Sequence, residues 1–258
     1  MSLKFFGKIR NRKNRVGKII DIKFLAFLCL FTPLVARQMF DDDSYKPLTI
    51  MLDPAGDSQN AGRILHDTFE RGVAIQCAQK IKDGLTSKYR NMNVVFSHQP
   101  GEIISELHNA NFANRLATDL YLSLHFCVEK KGKPKLWLYQ FSYGNDMPHT
   151  ILDLSFYPYE KAYLFSYNQT ADALKDMSQV FEQESCKNVL DFQGAFSLPF
   201  KPLIGVKGMA IGIEMGIDHS GDWYKLLDSL LNALEPVIMS LSNPKRDAVI
   251  SNESYEVD

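Results

Sequence analysis

Residues 49–72, TIMLDPAGDSQNAGRILHDTFERG, contain the strand, loop and helix start that decide the fold. The apolar residues 49–52 are typical of a buried strand, which Asp53-Pro54 and a polar, glycine-containing loop bring to an end. Glu70 then begins an amphipathic helix. Open α/β sheets bind their ligands in loops at the carboxyl ends of strands, so Glu70 is a candidate site residue. An acidic residue is also common in the first turn of a helix, which is the alternative interpretation.

Strand and helix patterns alternate along the chain on both sides of this loop. Apolar spacing predicts helices over residues 70–89, 102–116, 160–184 and 223–241, and strands over residues 93–97, 119–126, 136–141 and 209–213. The alternation predicts an α/β fold: a three-layer, open, twisted and mostly parallel sheet with helices on both faces. Residues 142–158 are aromatic and rich in turn residues, which indicates a surface excursion beside the site or a variable loop. Residues 186–207 are expected to be irregular.

The N-terminus predicts a signal peptide or a membrane anchor. Residues 1–23 carry eight of the 29 basic side chains and one of the 30 acidic ones, and an apolar run over residues 24–36 follows. That run is shorter than the ~20 residues that cross a bilayer, which favours a secretory signal. Cleavage after Ala36 would place Leu34 at position −3, where signal peptides usually carry a small residue. An uncleaved anchor is therefore the alternative. We expect an exported protein, periplasmic or associated with the cell envelope.

The composition divides the chain into four segments. They are a signal or anchor (1–36), a polar linker (37–47), a globular domain (48–241) and a disordered tail (242–258). With the basic segment set aside, the chain is acidic and a poor candidate for nucleic-acid binding. Membrane contact is expected only through the N-terminal segment. The sequence contains no CxxC pair, so neither a disulfide framework nor a cysteine zinc site is indicated.

His125 and Glu214 are polar residues in otherwise apolar strand segments. Burying either side chain is unfavourable unless it is paired or binds a metal. A lone histidine is more often a satisfied core residue, and Glu214 could be a salt-bridged or capping acid. Together with Glu70, however, they supply one imidazole and two carboxylates at the ends of separate parallel elements. That is the composition of a hydrolytic zinc site with an additional carboxylate as general base.

Four short motifs occur in order over residues 48–240. They are Asp53-Pro54 with Gly62 and Phe69-Glu70-Arg71, then Ala113-Asn114, then Asp119 with Ser123-Leu124-His125, and finally Ile213-Glu214-Met215-Gly216. This pattern resembles the type-3, zinc-dependent N-acetylmuramoyl-L-alanine amidases, which cleave the bond between the lactyl group of muramic acid and the first L-alanine of the peptidoglycan stem. The resemblance implies a zinc amidase or zinc exopeptidase-like fold over residues 48–241, a Zn²⁺ cofactor, and a peptidoglycan or muropeptide substrate.

The resemblance also implies roles for three residues. Glu70 and His125 would be zinc ligands, and Glu214 would be the catalytic carboxylate. Glu214 would take a proton from the zinc-bound water and pass it to the leaving alanine nitrogen. The zinc would polarise the carbonyl and stabilise the developing oxyanion.

The chain departs from the family pattern at Gly56, where the first zinc-binding histidine of the family falls. Asp57 is adjacent, and a carboxylate oxygen is an acceptable zinc ligand, so we predict that Asp57 completes the site. His66 lies four residues before Glu70 and is an alternative ligand if the helix begins early. Loss of the metal site is the other alternative.

We therefore predict a zinc-dependent peptidoglycan amidase. The first competing hypothesis is a catalytically degenerate amidase-like domain that binds cell-wall glycopeptide or regulates a partner, and the missing histidine motivates it. The second is a zinc peptidase that acts on peptides instead of muropeptides.

Overall fold

The computed structural model describes residues 47–104, 107–130, 132–143 and 158–242. Three predictions therefore lie outside the described residues in whole or in large part. They concern the signal or anchor and its linker (1–47), the excursion (142–158) and the tail (242–258).

The described chain alternates strands and helices. The strands are β1 (Leu48–Pro54), β2 (Met92–Phe96), β3 (Leu120–Val128), β4 (Lys135–Phe141), β5 (Asp191–Leu198) and β6 (Met209–Ile217). The α-helices are α1 (Glu70–Lys88), α2 (His108–Arg115), α3 (Tyr167–Phe181), α4 (Glu184–Lys187) and α5 (Tyr224–Leu241). Two 3₁₀ helices span Tyr159–Phe165 and Lys201–Leu203. No helix in these described ranges combines the length and apolar character needed to cross a membrane.

The six strands form one sheet in the order β2-β1-β3-β6-β4-β5. β2, β1, β3 and β6 run parallel to one another. β4 pairs antiparallel with β6, and β5 pairs parallel with β4. The sheet is therefore mostly parallel, which confirms the predicted fold class.

Helices cover both faces of the sheet because the central strands are apolar on both sides. Successive side chains of a strand point to opposite faces. Ile50 and Leu52 of β1 therefore pack in the cluster that contains α1, α3 and α5, whereas Met51 packs with α2 and the two 3₁₀ helices. All three side chains are fully buried. The protein has the three layers that the sequence predicts.

Three elements differ from their predictions in type or starting point. The single helix predicted over residues 160–184 is instead a 3₁₀ helix (Tyr159–Phe165) followed by α3 (Tyr167–Phe181) and the short α4 (Glu184–Lys187). β5 lies in the region predicted to be irregular, and its mixed, largely exposed residues explain why no apolar run marked it. As the edge strand it has a neighbour on one side only. Helix α2 begins at His108, six residues later than predicted. Leu107 adopts a left-handed conformation with φ of 62°, which is incompatible with a continuing right-handed helix.

Candidate functional site

Glu70, His125 and Glu214 meet near the carboxyl ends of the parallel strands. His125 and Glu214 are opposite each other in the β3–β6 ladder. Glu70 is the first residue of α1, and its Oε1 lies 3.3 Å from Nδ1 of His125. The structure therefore brings together the three residues that the motifs identified.

The Glu70 carboxylate is buried and uses both of its oxygens. Oε1 accepts a hydrogen bond from the Phe126 amide at 2.9 Å, and Oε2 accepts one from the Arg63 amide at 2.9 Å. Burial acts to raise the pKa of Glu70, but the contact with His125 and the two amides outweigh it, and the pKa is lowered. Glu70 is thus held as a carboxylate.

The His125 ring also has partners at both nitrogens. Nδ1 faces Glu70, and Nε2 lies 3.0 Å from the hydroxyl of Ser123. Ser123 donates to Oδ2 of Asp53 at 2.9 Å. The ring packs against Phe200 in a T-shaped arrangement, with centroids 5.2 Å apart.

Asp53, at the end of β1, anchors the polar network beneath the site. Its Oδ1 accepts hydrogen bonds from Ser97 and Asn109, both at 2.7 Å. With Ser123 of β3, Asn109 of α2 and Ser97 directly after β2, three donors converge on one buried carboxylate. The sequence marked Asp53 as part of a motif, but not as the residue that ties β1, β2, β3 and α2 together.

Glu214 is paired with two residues that the sequence analysis missed. The hydroxyl of Tyr139 donates to its Oε2 at 2.8 Å, and Nη1 of Arg63 forms an ion pair with its Oε1. Burial and this hydrogen bond raise the pKa of Tyr139, so the hydroxyl keeps its proton. Both oxygens of the predicted catalytic carboxylate are therefore engaged.

Asp57, the predicted third zinc ligand, turns its carboxylate into its own loop. Oδ1 accepts hydrogen bonds from the amides of Asn60 and Gln59, at 2.7 and 2.8 Å. These amides lower the pKa of Asp57. This is the ordinary role of an aspartate in a turn. The alternative ligand, His66, lies 3.4 Å from Asp218.

The arrangement does not fit a zinc ion. Catalytic zinc sites use three protein ligands. Within the described ranges, no three His, Cys, Asp or Glu side chains are grouped so that they could hold a metal ion. Gly56 leaves no room for a further ligand, because a Cβ there would lie 2.9 Å from both Arg71 Cβ and the Asn60 carbonyl oxygen. Zinc ligation by Glu70, His125 and Asp57 stays a prediction from the sequence.

A cleft of about 520 Å³ opens beside the site. Its lining includes Asp53, Gly56, Asp57, His125 and Lys201. The lining also includes apolar side chains, among them Ile104 and Leu107. This composition suits a ligand that carries both peptide and charged groups.

No protein-family model and no curated relative matches the chain. Solved structures do match it. The N-acetylmuramoyl-L-alanine amidase from Clostridium difficile 630 matches with a TM-score of 0.54 and 20% identity, over 76% of this chain and 97% of that chain. The amidase Ami1 from Mycobacterium smegmatis gives 0.54 and 11%, over 75% and 97%. The amidase AmiC2 of Nostoc punctiforme gives 0.52 and 11%, over 75% and 96%. This chain therefore has the fold of the N-acetylmuramoyl-L-alanine amidases.

Proposed function

We propose that this protein is directed at peptidoglycan and binds a muramoyl-peptide in the cleft beside His125. The fold is that of solved N-acetylmuramoyl-L-alanine amidases, which supports the ligand class. The cleft lies at the carboxyl ends of the parallel strands, where sheets of this kind bind their ligands.

The state of Glu214 favours binding over cleavage. A general base needs a carboxylate oxygen that can accept a proton from water. In the structure, Tyr139 and Arg63 engage both oxygens of Glu214. Each oxygen can accept a second hydrogen bond, but an attacking water would have to share Glu214 with the charge-assisted and stronger contact of Arg63. The geometry therefore best supports a protein that recognises muropeptide without turnover.

Calorimetric titration of the full chain with a purified disaccharide-peptide tests this proposal. Ile104 lines the cleft, so Ile104→Arg should weaken binding by about tenfold or more, which corresponds to ~1.4 kcal/mol. Met239 is an exposed apolar residue of α5, and Met239→Arg is the matched control. Equal affinities for the two variants, or no binding by the natural chain, would contradict a muropeptide site in this cleft.

Hydrolysis of the muramoyl-L-alanine amide is the second candidate function. It is favoured by the position of Glu214, which lies opposite His125 at the same edge of the sheet. In this function Glu214 would accept the proton of the attacking water and pass it to the leaving alanine nitrogen. The donor set of the described residues does not fit a zinc ion that would polarise the scissile carbonyl.

Mass spectrometry of muropeptides incubated with the protein separates the two functions. Release of free stem peptide by the natural chain, and its loss in Glu214→Gln, would establish the amidase and reject binding without turnover. Cleavage of a free stem peptide would instead identify the zinc peptidase alternative, because an amidase acts only on a substrate that contains the lactyl-alanine bond. We expect no release from either substrate.

We further propose that residues 48–241 form an amidase-like domain behind a signal or anchor (1–36) and a linker (37–47), with a disordered tail (242–258). The basic segment and the apolar run after it support export to the periplasm or cell envelope. Cell fractionation locates the protein. N-terminal sequencing of the recovered protein then distinguishes a cleaved signal from a retained anchor.

A further inference from the structure

The backbone of Arg63 is fixed to Glu70 on two sides. The Arg63 amide donates to Oε2 of Glu70, and the Glu70 amide donates to the Arg63 carbonyl oxygen, each at 2.9 Å. Ile64 and Phe69 form an antiparallel bridge in the segment between them. The loop is thus closed on itself at the start of α1, and Arg63 is held beside the Glu70 carboxylate.

The side chain of Arg63 extends from this point across the site. Nη1 donates to the carbonyl oxygen of Phe126 at 3.3 Å and pairs with Glu214. Partial burial alone would lower the pKa of Arg63, but Glu214, and to a smaller extent Glu70, raise it. The guanidinium therefore pairs with Glu214 and lies within electrostatic range of Glu70.

The same contacts involve the atoms that a metal would bind. Zinc binds deprotonated carboxylate oxygens and the free nitrogen of a neutral imidazole. Both oxygens of Glu70 and both oxygens of Glu214 accept hydrogen bonds or an ion pair. Both nitrogens of His125 have partners. A divalent ion needs one nitrogen of His125, so it would have to displace Glu70 or Ser123 from the ring. It would also be repelled by the Arg63 guanidinium.

We propose that Arg63 supplies, from within the chain, the positive charge that a metal would supply in this fold, and that the native protein holds no divalent cation with Glu70 and His125. The guanidinium belongs to the chain and cannot dissociate, whereas a metal could be gained or lost. The absence of a divalent cation does not depend on which ligand the cleft binds, so it can be tested independently of the proposed function.

Zinc titration of the full chain tests the proposal. After treatment with a chelator, the natural protein should take up far less than one zinc per chain, measured by elemental analysis after gel filtration. Its Tm should not rise when zinc is added, because only a ligand of the folded state raises Tm. Arg63→Ala leaves the two carboxylates without a cation, so its Tm should fall by about 3 °C or more. Added zinc should recover part of that loss.

Two variants serve as controls. Arg63→Lys keeps the positive charge and should stay insensitive to zinc. Arg90 is exposed after α1, so Arg90→Ala should behave as the natural chain. One zinc bound per natural chain, or a rise in its Tm with zinc, would overturn the proposal. If Arg63→Ala does not fold, these two measurements on the natural chain still decide the question.

Discussion

Glu70 is buried and its pKa is lowered, so stability should depend on whether Glu70 is ionised. Because its pKa is lower in the folded state, ionised Glu70 stabilises the fold above its unfolded pKa, and this contribution is lost as pH falls through the folded pKa. Glu70→Gln should therefore lower the free energy of unfolding by about 2–3 kcal/mol at pH 7. The difference from the natural chain should shrink in acid.

Urea unfolding at pH 7 and at pH 4 measures this difference. Glu182 is exposed at the end of α3, so Glu182→Gln is the matched control and should change stability little at either pH. A loss in Glu70→Gln that is equal at both pH values would show that ionisation of Glu70 is not the source of its contribution.

Tyr139→Phe isolates the hydrogen bond to Glu214. The ring of Tyr139 stacks on Phe200 with centroids 4.7 Å apart, and phenylalanine keeps that contact. Only the hydroxyl is lost, so the free energy of unfolding should fall by about 1 kcal/mol. Tyr224→Phe, at an exposed position, should change it little. Equal unfolding midpoints for the two variants would mean that the Tyr139 hydroxyl does not stabilise the site.

The residues of the site differ in how far the sequence reveals them. Glu70, His125 and Glu214 were predictable because each occupies a position in an ordered motif. Arg63 was not, because it lies in an irregular loop and its partner Glu214 is 151 residues away. Tyr139 belongs to β4. The alternation of residues along a strand predicts on which face of the sheet a side chain lies, but not which residue it contacts. Pairings between distant residues are set by the packed sheet and leave no local pattern.

At the level of elements, the buried strands were predictable and the edge was not. β1, β3 and β6 are runs of apolar residues because helices cover both of their faces. β3 and β6 both run farther than predicted, to Val128 and Ile217, since pairing across the ladder continues beyond His125 and Glu214. β5, with partners on one side, needs no apolar run.

The packing of β6 makes a prediction at Gly212. A Cβ there would lie 2.7 Å from Cε1 of Phe200, the ring that packs against His125. Gly212→Val should therefore lower the free energy of unfolding by about 1–3 kcal/mol through overpacking, although valine favours strands in general. Gly221→Val is the control, because a Cβ there has no neighbour within 4 Å. Thermal unfolding compares the two, and a smaller loss in the Gly212 variant would contradict this account of the packing.

At the scale of the whole molecule, the fold is shared with proteins of low sequence identity. Identity to the amidase from Clostridium difficile 630 is 20%, yet the structures match over 76% of this chain. The fold depends on apolar patterns distributed over many strands and helices, which tolerate substitution. A three-ligand metal site depends on single positions, and one loop residue can remove it.

Introducing a histidine at position 56 should not by itself create a metal site. Gly56 has φ of +87°, and a Cβ there would lie 2.9 Å from Arg71 Cβ. Gly56→His should therefore lower the free energy of unfolding by about 1–2 kcal/mol through backbone strain. It should also bind no zinc while Arg63 faces the carboxylates. Elemental analysis of Gly56→His, alone and combined with Arg63→Ala, measures this dependence. One zinc per chain in the single variant, at unchanged stability, would show that the loop can rearrange and that Arg63 does not exclude the metal.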